Sequence, residues 1–361
     1  MRATPQPGIS RMPSLDGLRA VAVLLVIVFH LELSKTFTPV RYLWRFDIGY
    51  TGVKIFFVLS GFLITTLLLR EHARHGKIDW GDFYLRRIFR IFPAYYTYLA
   101  LAGVAVAAGW ATASRGDFLW AAIFLSDYHK AEWALLHTWS LAVEEQFYLL
   151  WPTALVLIGI RRGLYCAAAI LLISPALRVM AELTPQWPTD PRLAFETVAD
   201  ALATGCLLAG FGERLWSYGW YRALLSWKYF NVIPLVVVFA RGLTPNALVW
   251  AGVVQPLMNL AIAATIDRYV RFPDTTTGRL LNSRPLVLIG LMSYSLYLWQ
   301  EIFLADAHPV PFPLSLVGIA AAGAASYYWV EKPLQALGRR LSQYRKRNVT
   351  TGVGVMPRTP D

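Results

Sequence analysis

An all-α integral membrane bundle of about ten transmembrane helices is the fold class that composition, block length and periodicity together predict. The 361-residue chain is 56% hydrophobic and only 16% charged, against roughly 25% charged in soluble domains. Its mean hydropathy is +0.44. The apolar residues fall in blocks of about 20, the length that crosses a hydrocarbon core of about 30 Å. Lipid cannot satisfy free backbone groups, so such blocks must be helices or a closed barrel. Barrel strands alternate apolar and polar residues, and runs such as AVAVLLVIVF do not.

The predicted spans are 16–33, 49–69, 88–110, 137–160, 163–183, 194–212, 223–240, 247–266, 285–305 and 313–330. A further apolar segment, 117–126, is short and reads as a re-entrant or interfacial helix. No small-residue cleavage site follows the run from about Ala20, so it reads as an uncleaved first span. Cys166 and Cys206 both lie in apolar runs and read as small core residues. They suggest neither a disulfide framework nor a metal site.

Charge placement sets the orientation. With the N-terminus inside and 117–126 not crossing, cytoplasmic segments carry 24 of the 34 Lys and Arg residues, and the outer loops carry seven. A full crossing at 117–126 would turn the basic 267–284 loop and the C-terminal tail outward, against the positive-inside rule. Ten spans with both termini cytoplasmic is therefore the expectation. The net charge of +12 is accounted for by this topology and by attraction to anionic lipid, which excludes a nucleic-acid partner. Residues 1–13 read as a short cytoplasmic segment, 14–335 as the membrane domain, and 336–361 as a basic tail without fixed structure.

Ionisable residues inside spans are candidates for function. Arg19 and His30 are eleven residues apart, nearly three turns, so they share one face of the first helix about 16 Å apart. In HTWSLAVEEQFYLLWP (137–152), helical spacing puts His137, Ser140, Glu144, Tyr148 and Trp151 on one stripe, while Glu145 points elsewhere. Glu144 is expected at a depth similar to His30, where a His–Glu pair makes the imidazole a base or a nucleophile. Arg86, Arg87 and Arg90 cluster where the third span begins, and their guanidinium forks suit phosphate oxygens. Ser60–Gly61 is a small pair in a bulky helix, suited to close packing. Lys54 is a candidate partner for a carboxylate, and Glu196 and Asp200 for Arg178. Tyr294, Tyr297 and Gln300 share a broad face and read as interfacial aromatics with one amide.

The ordered set SLDGLRAVAVLLVIVFH, GVKIFFVLSGFLIT, FYLRRIFRIFPAYY, HTWSLAVEEQFYLLWP, SYSLYLWQ and YYWVEKPL resembles the membrane-bound acyltransferase-3 family from about Ser14 to Leu334. The resemblance implies acyl transfer, usually of acetyl, from a cytoplasmic acyl-CoA such as acetyl-CoA. The implied acceptor is a hydroxyl of a glycan, lipid-linked sugar or secondary metabolite, and no metal is implied. Arg19 and His30 match the family's Arg/Lys-x10-His signature, Arg87 and Arg90 its RxxR signature, and Trp139, Ser140, Leu141 and Glu144 its tryptophan-serine-leucine-glutamate segment. Many members have a histidine where this chain has Gln300. Some carry a fused SGNH esterase-like domain; the chain ends at 361 without one, so it is expected to complete the transfer alone or pass the group to another protein.

The expected roles follow. His30 and Glu144 are catalytic, with His30 either deprotonating the acceptor or carrying the acyl group. Arg19, Arg86, Arg87 and Arg90 bind the donor's phosphates. Trp139, Ser140, Tyr148 and Ser60 contact substrate. The expected location is the cell membrane. The rival reading is a transporter or flippase that uses the same His, Arg and Glu as a substrate or proton path.

Overall fold

The structure, a computed structural model, describes residues 12–34, 43–184, 186–187, 190, 192–304 and 310–351. The segments 1–11 and 352–361, parts of the predicted terminal regions, lie outside them. The described residues are helical throughout, with no strand among them. Helix α1 (Pro13–Leu33) opens on a proline, which loses no backbone bond in a first turn. Helix α2 (Ile48–His75) ends at Gly76, whose φ of +67° favours a residue without a side chain. Asp79 then caps α3 (Trp80–Ala107) by accepting from the Asp82 N–H at 3.0 Å.

A Ser114–Asp117 capping box starts α4 (Arg115–Ala122). One-turn α5 (Trp133–Leu136) leads into α6 (Thr138–Ile158). Helices α7 (Ile160–Leu183) and α8 (Phe195–Ser217) follow, then α9 (Gly219–Ser226) and α10 (Val232–Phe239). A π-helical turn joins α11 (Ala247–Val249) to α12 (Gln255–Arg271). After α13 (Thr276–Leu281), α14 (Arg284–Leu291) and α15 (Ser293–Phe303), α16 (Leu314–Ala325) runs through a second π turn into α17 (Lys332–Thr351).

Among the described residues, six helices are long and apolar enough to cross a membrane, or seven if the bent α14–α15 pair counts as one span. Large apolar side chains such as Leu157, Leu172 and Trp329 are more than three-quarters exposed, at 76%, 77% and 80%. Such a surface belongs against lipid, and the chain is a multi-pass membrane protein.

Several predicted elements change. Segment 117–126, expected to be a short helix that does not cross, is the eight-residue α4 with its bounds shifted to Arg115–Ala122, about 12 Å long and too short to cross. The predicted span 223–240 is instead two eight-residue helices, α9 and α10, broken at 227–231. The predicted span 285–305 bends by 71° between α14 and α15. Cys166, expected in the core, is exposed, whereas Cys206 is buried.

The tail predicted to lack structure from residue 336 is helical as far as Thr351. Composition missed this because tertiary anchors hold it. The Ser342 hydroxyl donates to Asp82, Arg345 pairs with Asp79 at 3.4 Å, and Gly338 lies against Phe89.

Close backbone contact holds the centre together. Gly61 of α2 and Gly205 of α8 face each other's helices, and a Cβ on either would collide with an opposing carbonyl oxygen, the small-residue packing typical of membrane helices. Beside this crossing sits a buried ionic group. The Arg178 guanidinium donates to Asp200 at 2.7 Å and to the Ala251 carbonyl at 3.0 Å. Lys54 Nζ stands 3.5 Å from the same carboxylate. Glu196, also predicted near Arg178, instead accepts from the Tyr128 hydroxyl at 2.8 Å.

Removing the shared carboxylate strands two cations in a dry interior. Asp200→Ala is expected to cost about 3–5 kcal/mol, measured as a lower unfolding temperature in detergent. An unchanged unfolding temperature would mean that the group contributes nothing to stability.

Candidate active site

Three cavities run in series through the bundle, each sharing wall residues with the next. The first, of about 220 Å³, opens beside α3 and α17 and is lined by Arg86, Arg87, Arg90 and Arg339. Arg87 and Arg90 also line a tighter inner cavity of about 70 Å³ with Arg19, Ser60, Ser140, Glu144 and Tyr148. Val53 and Tyr297 close that cavity and line the third, a vestibule of about 640 Å³ that contains His30, His137, Trp139 and Glu301.

The inner cavity is built around Glu144. Ser60 Oγ donates to one carboxylate oxygen at 3.0 Å, and the Tyr148 hydroxyl stands 3.1 Å from the other. Helical spacing produces this directly, because Glu144 and Tyr148 are i and i+4 on α6. The Arg87 guanidinium lies over the Tyr148 ring at 4.6 Å. Among the described residues neither Arg87 nor Arg90 has a carboxylate within the 4.0 Å ion-pair limit. Both are cations facing a cavity with unspent donors. Arg86 differs: it is tied to Asp82, one turn back on its own helix. Arg19 stands 3.9 Å from Asp16.

The vestibule is built around Glu301 of α15. One of its oxygens is 3.4 Å from His30 Nε2 and the other 3.2 Å from His137 Nδ1. The carboxylate is 1% exposed. His30 Nδ1 is itself buried, and the Val26 backbone one turn back and the Gln300 side chain also interact with the ring. The Trp133 ring meets His30 edge-on at 6.0 Å, and the Trp133 indole donates to the Glu301 carbonyl at 3.2 Å.

The Tyr297 hydroxyl marks the boundary between the two cavities. It lies 2.5 Å from Ser140 Oγ and donates to the His137 carbonyl at 3.2 Å. At the rim, burial pushes the Asp127 carboxyl up to about 7, although Gln146 and the Phe195 N–H donate to it. Burial also raises Asp190, but donation from Arg192 outweighs it and leaves that carboxyl below its usual range.

The predicted residues thus divide between two layers. Arg19, Arg87, Arg90, Ser60, Ser140, Glu144 and Tyr148 meet in the inner cavity, while His30 and Trp139 face the vestibule. The expected His30–Glu144 pair does not form. His30 sits level with His137, which precedes Glu144 by seven residues on the same stripe, about 10 Å along the axis. The carboxylate at His30 is Glu301, which the sequence reading passed over although it is an acid inside an apolar helix, next to the singled-out Gln300. That placement alone marks a residue for attention.

No solved structure matches the chain. Among curated proteins it is 31% identical over 376 residues to YrhL of Bacillus subtilis (strain 168), to which peptidoglycan O-acetyl transfer is ascribed; the alignment covers 91% of this chain and 56% of YrhL. It is 27% identical to the peptidoglycan O-acetyltransferase OatA of Listeria monocytogenes serovar 1/2a, covering 86% of this chain and 52% of that one. It is 26% identical to the O-acetyltransferase OatA of Staphylococcus aureus (strain NCTC 8325), covering 91% and 58%. The chain therefore spans a little over half the length of the relatives it matches. The acyltransferase-3 profile, described as an acyltransferase domain, matches residues 12–329, which include every residue of the inner cavity and the vestibule: the chain belongs to the acyltransferase-3 family.

Proposed function

We propose that this protein is an O-acyltransferase of the cell membrane that takes an acyl group, acetyl by analogy with its relatives, from acyl-CoA on the cytoplasmic side. It delivers the group to a hydroxyl of a cell-envelope glycan, of the peptidoglycan type, on the outer side. The observation that carries this reading is the row of three cavities with unpaired arginines at one end and a carboxylate-held histidine at the other.

The donor's phosphates bind Arg87 and Arg90, with Arg86 and Arg19 adding positive potential. The pantetheine arm enters the inner cavity past Ser60, Glu144 and Tyr148. The acceptor fills the vestibule, whose aromatic walls suit a sugar face.

His30 acts as the base. Its imidazole takes the proton of the acceptor hydroxyl as that oxygen bonds to the thioester carbonyl carbon. The C–S bond breaks, the ester forms, and the proton passes to the CoA thiolate. Glu301 holds Nε2 and stabilises the imidazolium between these steps. Ser140 and Tyr297, between the two cavities, donate to the developing oxyanion.

The orientation rests on ten crossings with both ends inside. Two contacts bracket the α10 segment, whose helix of about 12 Å does not cross by itself. Asn231 donates to Thr277 at 2.8 Å, near the N-terminal end of α1, where Ser14 donates to Asn282 at 2.8 Å. At its other end Phe239 packs on Phe46, beside the vestibule residue Asp47.

His30→Ala is expected to lower thiol release from acetyl-CoA by about 10²–10⁴-fold in protein that remains monodisperse. Undiminished release would sink the base assignment, and no release from wild type would favour a transporter. Trapped acyl-histidine on rapid quench would replace general-base transfer with a covalent route. Arg87→Gln and Arg90→Gln are each expected to raise KM for acetyl-CoA by about 10- to 100-fold, the equivalent of about 1.5–3 kcal/mol for a lost charge-assisted bond. A fall in kcat at constant KM would place them elsewhere in the cycle.

A further inference from the structure

Away from the three cavities, the break between α9 and α10, the C-terminal part of α12, and α13 with the loop before it enclose another. It holds about 340 Å³, several times the ~30 Å³ that a water molecule occupies in the liquid. It shares no wall residue with the other three. It is lined by Lys228, Arg268 and Arg279, the hydroxyl-bearing run Thr275–Thr277, and one opposing carboxylate, Asp274.

Arg268 is the informative residue. It is 8% exposed, and its Nε and Nη1 have no hydrogen-bond partner. Its guanidinium lies over the Phe230 ring at 4.8 Å and the Phe272 ring at 5.7 Å. Those contacts hold its plane but accept no N–H bond. Among the described residues none of the three cations has a carboxylate within the 4.0 Å ion-pair limit, so three positive charges face one negative charge.

The pocket is also braced. Asn231 donates to Thr277 at 2.8 Å and accepts from the Tyr269 hydroxyl at 2.5 Å. Tyr221, Leu225 and Phe230 form a small core of their own beneath it. A buried cation with spare donors is costly unless something fills them, and phosphate oxygens are strong acceptors for guanidinium N–H groups.

We propose that this pocket binds a phosphate group, and that the phosphate belongs to an anionic lipid at the membrane surface carrying the N-terminal end of α1. Two observations favour the lipid source. Trp220, Trp227 and Tyr229 stand exposed around the pocket at 63%, 45% and 55%, the aromatic placement found at headgroup level. The neighbouring Asn282 accepts from Ser14, which ties the pocket to the helix end that the charge rule sets against the anionic leaflet.

The test uses the full chain purified in detergent. Phosphatidylglycerol and phosphatidylcholine are added to separate samples as mixed micelles, inorganic phosphate to a third, and thermal unfolding is recorded. Phosphatidylglycerol is expected to raise the unfolding temperature where phosphatidylcholine does not. The rise is expected to disappear in Lys228→Gln/Arg279→Gln, whose two side chains are exposed, and in Arg268→Gln if that variant folds. Native mass spectrometry should show at least tenfold less retained phosphatidylglycerol in the double variant. Equal stabilisation by both lipids, or a rise that survives the double variant, overturns the site. Stabilisation by inorganic phosphate as large as that by phosphatidylglycerol overturns the lipid assignment and makes the ligand a soluble phosphate.

Discussion

A charge carried into a bilayer must find its counter-charge inside the protein, and the architecture of this chain follows from that constraint. Asp200 neutralises Arg178 and Lys54 where α2, α7 and α8 converge, and Glu301 stands between two histidines where α1 and α15 meet the start of α6. Each carboxylate fixes the rotation of several helices at once, because a turn of any one would strand an ion in a medium that cannot solvate it. Glycine contacts then let those helices approach closely enough for the charges to meet.

The two ionic centres differ in what surrounds them. Around Asp200 the donors are spent: Arg178 bonds to the carboxylate and to two backbone carbonyls. Around Glu301 they are not. Imidazole nitrogens and carboxylate oxygens are buried at short range without completed hydrogen bonds, so polar capacity remains there that the fold itself does not use. The same contrast separates Arg86, engaged by Asp82, from Arg87 and Arg90, which face open volume.

Much of this was legible in the sequence. Helical fold class followed from block length, and the family from six ordered motifs. Part of the inner site could be read because Ser140, Glu144 and Tyr148 sit on one helix: i, i+4 spacing on α6 joins Glu144 to Tyr148 without knowledge of the rest. What stayed hidden depends on relative depth between helices. Nothing in the spacing of α1 fixes which residue of α6 or α15 lies opposite His30, so Glu144 was set too high and Glu301 was overlooked. The breaks at 227–231 and between α14 and α15 escaped for a related reason. Hydropathy measures length along the chain, and a bent or interrupted segment is as apolar as a straight one.

The narrowness of the inner cavity has a bioenergetic consequence. At about 70 Å³ it is the tightest of the three cavities, between a basic mouth and a vestibule that are both far roomier. Residues able to pass protons line that constriction on both sides of Tyr297. A continuous water file through it would short-circuit the ion gradient of the membrane in which the protein sits. Val53, Ser140 and Tyr297 stand at that constriction, so a change that widened it would also be expected to open a path for protons.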